Sequence, residues 1–471
     1  MTTHTHKTDY LIVGSGAVGM AFADTLLTET DANIIIVDRY HKPGGHWNVA
    51  YPFVTLHQPS AFYGVSSREL SKGNIDKVGY NKGLNELASG AEVSAYFDDV
   101  MREQFLPTGR VQYFPMCDYQ GDGNFVSKLT GESHHVRVTK KTVDATYLNT
   151  TVPSTHTPKF SIAEEVQFMP LNDLPKVTKS PEGYVIIGGG KTGIDAVLWL
   201  LENNVNPELI QWIMPRDAWL IDRKNTQNSE QFFADSIGAQ AAQMEAIAES
   251  NSMEDMFARL EKAGVFLRID TSVQPQMFHG ATISQLELEA LRRVKNIVRL
   301  GRVTSLEKDL ITLEQGTIPT SINHLHIDCS ASALTNFEMK QIFADNVITP
   351  QTVRSYQPVF SAAFIAHIEA AYPNDEIKNK ICNVVPLPNT LIDWLRLTVV
   401  FMTNQYIWSQ DENIRTWLLE NRLDGFSQLV RDVAEDDTEK QGILQRLRGN
   451  SRGAMAKLQQ YLAQAKADAK E

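Results

Sequence analysis

One signature occurs twice in this chain and limits its fold more than any other feature: an apolar run, a glycine-rich turn, then a helical stretch. The first copy is Tyr10-Leu-Ile-Val13 followed by Gly14-Ser-Gly16-Ala-Val-Gly19, with Val18, Ala21, Phe22, Thr25 and Leu26 at helical spacing beyond it. The second is Tyr184 to Ile187 followed by Gly188-Gly-Gly190-Lys-Thr-Gly193 and a helical stretch to Glu202. A continuous apolar run reads as a parallel strand buried on both faces. In each turn the first glycine permits a tight bend. The second lets backbone approach a diphosphate, and the third lets the helix pack close to the strand. The helix start then offers free N–H groups and partial positive charge. Two copies predict an α/β fold with two Rossmann-like dinucleotide-binding domains.

The strands that follow the two turns end differently. Ile34 to Val37 ends on Asp38, where a carboxylate can accept ribose hydroxyls. Leu209 to Met214 carries no acid and is followed by Pro215-Arg216. An acid there would repel a 2′-phosphate, whereas an arginine binds one through two donors. The second site is therefore read for NADPH rather than NADH, with a solvated Arg216 as the alternative. Arg223 and Lys224 are further candidates for the same phosphate. Lys191 lies inside the second turn, either approaching the diphosphate or solvated.

Size and charge narrow the class. At 471 residues the chain is too long for one simple core. Its formal net charge of −12 argues against nucleic acid or an anionic membrane surface as the main partner. The three cysteines, Cys117, Cys329 and Cys382, form no CxxC and no metal spacing. They fit a reducing compartment and argue against a redox disulfide. Met1 to Asp9 is polar, and no apolar run is long enough to span a bilayer, so the expected location is the cytoplasm.

A third motif follows Asp38: Arg39-Tyr-His-Lys-Pro-Gly44-Gly45-His46-Trp47. The glycines let backbone pass close to a flat ring, and Trp47 can pack beside it. With this motif the chain resembles the class B flavin monooxygenases, the group of flavin-containing and Baeyer–Villiger monooxygenases. The resemblance covers roughly residues 8 to 216 and the strand near Asp328. It implies FAD in the first unit and NADPH in the second. The residues implied at FAD are Gly14, Ser15, Gly16, Ala17, Val18, Gly19, Asp38, Arg39, Gly45, His46, Trp47, Leu56, Gln58 and Met116. Those implied at NADPH are Gly188, Gly190, Lys191, Thr192, Gly193 and Arg216. The implied reaction is oxygenation of a small organic substrate by dioxygen through a C4a-(hydro)peroxyflavin. The chain departs from the family in having Asp38 for a glutamate and no FxGxxxH pattern over 166–174, and Ala145 to Val152 and Asp328 to Ala331 replace the two Ala-Thr-Gly strand ends. An NADPH-dependent flavin reductase or dehydrogenase without oxygenation, and a non-catalytic nucleotide-sensing flavoprotein, stay open as alternatives.

On this reading residues 1–155 form the first part of the FAD domain. Residues 156–320 form the NADPH domain, with a helical insertion over 230–300. Residues 321–410 return to the FAD domain, and 411–471 form a helical C-terminus. A strand is predicted over Ala145–Leu148, a linker over Thr150–Pro181, and a returning strand over His324–Cys329. Tyr51, Phe53, His57, Phe62 and Tyr63 form an aromatic patch that walls a substrate site or simply packs as core. His57 is the candidate catalytic proton donor. His4 with His6, His134-His135 and His324-x-His326 lack the partners a metal would need, so no metal is expected. The oligomeric state is left open.

Overall fold

A strand whose every residue is apolar has no face to show water, and must lie inside a sheet covered on both sides. In a computed structural model that describes residues 3–148, 150–331 and 338–468, the runs at 10–13 and 34–37 meet this demand. Leu11, Ile12, Ile35 and Ile36 are buried in adjacent parallel strands, β1 (Thr3–Val13) and β2 (Ile34–Val37), with α1 (Ala17–Glu29) between them. A second helix, α2 (Gly90–Asp99), opens on a capping box in which Ser89 and Glu92 satisfy each other's backbone N–H groups. Then come β3 (Val111–Phe114), an antiparallel pair Cys117–Gly121 and Asn124–Ser127, and β4 (Ser133–Asp144). The parallel order is β3-β2-β1-β4, extended beyond β4 by Val347–Ile348 and Phe343–Ala344.

The second unit repeats the arrangement. β5 (Gly183–Ile187), α3 (Lys191–Glu202) and β6 (Ile210–Ile213) form its core, with β7 (Ile297–Val298) beyond β6. β8 (His324–Asp328) lies on the other side of β5, and Phe168–Pro170 pairs with its outer edge. The order β7-β6-β5-β8 is that of the first sheet.

Several elements differ from the sequence reading. The predicted strand over Ala145–Leu148 is a turn. The Asp144 carboxylate accepts from the Thr146 backbone N–H at 3.0 Å and its hydroxyl at 2.6 Å, which bends the chain as β4 ends. The linker over 150–181 contains the edge strand Phe168–Pro170. The returning strand near Asp328 is hydrogen-bonded into the second sheet, between β5 and Phe168–Pro170. The insertion over 230–300 is not purely helical. Its helices Phe233–Ala248 and Met253–Lys262 pack on a three-stranded sheet built from Ala218–Asp222, Phe266–Leu267 and Met277–Ile283.

The C-terminal part is helical. α4 (Pro358–Ala371) is buried along most of its length and lies against α1. α5 (Leu391–Ser409) and the long α6 (Thr438–Asp468) follow, and α6 covers the helix Phe233–Ala248. No helix among the described residues is long and apolar enough to cross a membrane.

A buried charge network fixes α4 to the first sheet. Glu369 receives Lys378 at 2.6 Å, Lys141 of β4 at 3.5 Å and the Tyr10 hydroxyl of β1 at 3.0 Å. Removing one partner of such a network leaves charge uncompensated in a poor solvent for it. Glu369→Ala is therefore expected to lower the unfolding free energy by about 3 kcal/mol, read from the urea midpoint. A change below about 0.5 kcal/mol, the size of an ordinary surface substitution, would contradict this account.

Candidate functional site: two glycine turns and the crevice between them

The glycines of the first turn are there for space. A Cβ on Gly19 would lie 2.0 Å from the Gly14 carbonyl oxygen, so only glycine lets α1 start this close to the end of β1. Gly14 itself has φ +98°, in the region that favours glycine. Gly16, Ala17 and Val18 remain partly accessible, and α1 carries no side-chain cap at Gly16. The Gly44-Gly45-His46-Trp47 loop folds onto this turn. Gly44 N–H donates to the Ser15 carbonyl at 2.9 Å, and a Cβ on Gly45 would come within 2.9 Å of Gly16 Cα. Turn and loop thus make one backbone-lined slot at an uncapped helix start, where a diphosphate is well placed.

Asp38 behaves differently from the reading that gave it only ribose hydroxyls. Its carboxylate accepts from Ser15 N–H at 2.5 Å and the Ser15 hydroxyl at 2.8 Å through one oxygen, and from Tyr40 N–H at 2.7 Å through the other. Asp38 is one methylene shorter than the glutamate of the resembled family, and it braces the turn while Oδ1 keeps room for one further donor. Arg39 is exposed, 4.0 Å from Asp118. Both backbone groups of Met116 are engaged: its N–H donates to the Tyr40 carbonyl and its carbonyl accepts from Lys128 N–H. Leu56 is core, and Gln58 is partly accessible beside His57.

The second turn has the same construction. A Cβ on Gly193 would lie 2.1 Å from the Gly188 oxygen, and Gly188 has φ +133° with the Cys329 carbonyl 2.5 Å from its own Cβ position. Gly190 caps α3 without a side-chain bond, and its flank is open, with nothing within 4 Å. Thr192 is partly buried next to it. Arg216 is exposed beyond the end of β6 and makes no ion pair among the described residues.

Three basic residues are not where the sequence suggested. Lys191 turns away from the turn mouth and hydrogen-bonds to Asp195 one helical turn on. Arg223 is buried, paired with Glu287 at 2.8 Å, and donates to the His57 carbonyl at 3.0 Å and to Asn81 at 3.1 Å. Lys224 pairs with Asp235 at 2.7 Å. A basic residue soon after a strand end resembles a phosphate ligand in sequence, and only the fold shows these two turned to carboxylates.

One segment of chain ties the two units together. The segment after Trp47 leaves the first unit and docks on the second. Tyr51 donates to Asp195 at 2.6 Å, Phe53 stacks on Trp199 at 4.9 Å, and the Val49 carbonyl accepts from Asn172 and Ser154. His57 Nε2 stands 4.0 Å from Asp195 Oδ2. Trp47 donates to the Tyr63 hydroxyl at 2.8 Å. His46, His57 and Tyr63 sit deep enough for desolvation to dominate their titration. It pushes His46 down to about 4, His57 well below 6.5 and Tyr63 well above its ordinary value. For His57 the neighbouring Lys191 and Arg223 act in the same direction as desolvation. Yet all three side chains keep accessible surface, 39% for His57. The three side chains are therefore desolvated by their surroundings while part of each is still reached by solvent.

The structure therefore gathers Tyr51, His57 and Lys191 around Asp195 and pairs Trp47 with Tyr63, while Arg39 and Arg216 are exposed. Asp195 was not anticipated. In sequence it is an acid four residues after a lysine on a helix, the pattern of an ordinary solvent-facing pair. The candidate histidines divide between the two sheets. His4 and His6 stack on His134 at 5.2 and 5.4 Å, and buried His326 contacts Thr320 and the Gln167 carbonyl. No group of three or more metal-binding side chains occurs among the described residues.

No family model matches the chain. It is 46% identical over 457 residues, 96% of this chain and 85% of the relative, to the uncharacterized protein Rv2000 of Mycobacterium tuberculosis. The same values hold for the uncharacterized protein Mb2023 of Mycobacterium bovis. Among solved structures it is similar to a flavin-containing monooxygenase from Stenotrophomonas maltophilia, at 14% identity and TM-score 0.43, covering 78% of this chain and 97% of that one. It is also similar to the polycyclic ketone monooxygenase of Thermothelomyces thermophila, at 10% identity and TM-score 0.47, covering 98% and 89%. Likeness of this degree assigns no activity.

The two kinds of glycine separate in a direct test. Gly193→Ala must push α3 off β5 and is expected to cost about 2 kcal/mol or more of stability. Gly190→Ala meets open space at an ordinary φ of −83° and should change stability by less than about 1 kcal/mol. Thermal unfolding of both variants checks the order, and equal losses would contradict it.

Proposed function

We propose that this chain, which belongs to the same family as the uncharacterized protein Rv2000 of Mycobacterium tuberculosis, is a flavin-dependent oxidoreductase that binds FAD at its first turn and NADPH at its second. The reaction proposed is oxygenation of a small organic substrate in the crevice between the two. The observation that carries the reading is the pair of uncapped, glycine-lined helix starts, joined by a segment that pairs Trp47 with Tyr63 at one end and brings Tyr51 and His57 to Asp195 at the other.

The residues present suit both groups. Each turn offers backbone donors where a side chain would block approach. His46, His57 and Tyr63 are desolvated yet keep accessible surface, which suits a flat aromatic ring lying beside them. Arg216, exposed beyond β6, supplies the charge that favours NADPH over NADH. Bound here, the flavin would accept a hydride and pass electrons to dioxygen; the protein supplies orientation and desolvation. Trp47 and Tyr63 hold each other edge to face and fix one wall. Arg223 holds the His57 backbone, and His57 keeps its imidazole neutral until a nearby charge changes.

One observation favours a second reading, hydride transfer without oxygenation. Residues 166–174, where the resembled family carries FxGxxxH, form instead an edge strand and a helical turn of different sequence.

The test is spectroscopic. The purified protein should carry FAD, and NADPH should bleach the flavin without air. Oxygen consumption matched by product one oxygen atom heavier supports oxygenation, and peroxide alone supports the second reading. A colourless protein that takes up no FAD would sink both. Arg216→Ala is expected to weaken NADPH by about tenfold or more, ~1.4 kcal/mol, and to leave NADH nearly unchanged. Equal loss for both nucleotides would remove Arg216 from the site.

A further inference from the structure

Lys191 occupies an unusual position for a surface-type lysine. It is the first residue of α3, inside the turn whose free N–H groups suit a diphosphate, yet its ammonium lies on Asp195. The pair is largely buried, with side chains 12% and 14% exposed. Asp195 also accepts the Tyr51 hydroxyl at 2.6 Å, and its Oδ2 is 4.0 Å from His57 Nε2. Lys191 thus stands between two places for an anion, one filled by a carboxylate of the protein and one at the turn.

The groups around His57 come from several elements. Lys191, Arg223 and His46 oppose its protonation, while Glu287 and Asp195 favour it. Arg223 is already committed to Glu287 and to the His57 carbonyl. Cys329 also faces Asp195 and keeps its thiol neutral. Among the described residues, Lys191 and His57 are the groups in place to neutralise Asp195.

We infer that Lys191 is shared between two anions: it neutralises Asp195 in the nucleotide-free protein and moves to the diphosphate when the second turn is filled, whereupon His57 takes up a proton from water and pairs with Asp195. This rests on the reading of the second turn as a dinucleotide site. Two effects act in the same direction. Departure of Lys191 removes a cation that opposes protonation of His57. It also leaves a poorly solvated carboxylate in need of a counter-charge, with the imidazole already at 4.0 Å. A diphosphate carries more negative charge than one carboxylate, so it draws Lys191 away. Lys191 and Asp195 are then positioning residues, and His57 becomes an acid only after the nucleotide is seated. The proton comes from solvent, and no bond other than N–H forms.

Proton counting by titration calorimetry tests this on the full-length, flavin-loaded protein. NADP+ is titrated in two buffers of different ionisation enthalpy, just above the ordinary imidazole value of 6.5. The wild type is expected to take up a large fraction of a proton for each NADP+ bound. His57→Gln and Asp195→Asn should bind NADP+ with no uptake. Lys191→Met should bind at least about tenfold more weakly, again without uptake. His57→Gln loses no side-chain hydrogen bond of the folded protein, so it remains informative if Asp195→Asn does not fold. Binding by the wild type without proton uptake overturns the inference and leaves the two-nucleotide reading standing. Undiminished uptake in His57→Gln also overturns it. Failure of the wild type to bind NADP+ overturns the underlying reading and the inference with it.

Discussion

The structure depends on two contacts in which a helix begins against the end of a strand with no side chain between them. At Gly19 over Gly14 and at Gly193 over Gly188, a single methyl group would fall about 2 Å from a carbonyl oxygen. This closeness sets the direction of α1 and α3, and so the direction in which their free N–H groups point. Moving either helix outward by the radius of a methyl would shift its first turn away from the crevice and re-aim the donors. The long apolar strands and the buried α4 serve to hold these two positions still.

The second element of the design is the segment from Trp47 to His57. It belongs to the first unit by sequence and by its start on the Gly-rich turn, and Trp47 and Leu56 pack there, but Tyr51 and Phe53 are anchored in the second. Tyr51 reaches Asp195, Phe53 lies flat on Trp199, and Arg223 grips the His57 carbonyl from below. The crossing runs both ways, since Asn85 N–H donates to Gln227 and Ser284 to the Tyr80 carbonyl. The two glycine-turn units are therefore fastened to each other through this segment.

Much of this was legible before any coordinates. The two glycine turns, their strands and their helices follow from spacing alone, because each glycine answers a steric demand that no other residue meets. The aromatic patch after Trp47 was visible, although its partners were not. What escaped notice depends on side chains choosing between near neighbours. Arg223 and Lys224 look like phosphate ligands until Glu287 and Asp235 are seen beside them. Asp195 looks like half of a surface pair until Tyr51 arrives from the other unit. The strand predicted at Ala145–Leu148 failed because the Asp144 side chain bonds forward to Thr146 and turns the chain. The insertion over 230–300 read as helical because Phe266–Leu267 is too short to leave a periodic trace and Met277–Ile283, interrupted at Gly280, shows no alternation of buried and exposed residues.

The cross-unit clamp has a mechanical consequence. Sliding one unit past the other would break the Tyr51, Arg223 and Val49 bonds and the Phe53–Trp199 stack together, so the two units behave as one riveted block and not as a pair of jaws.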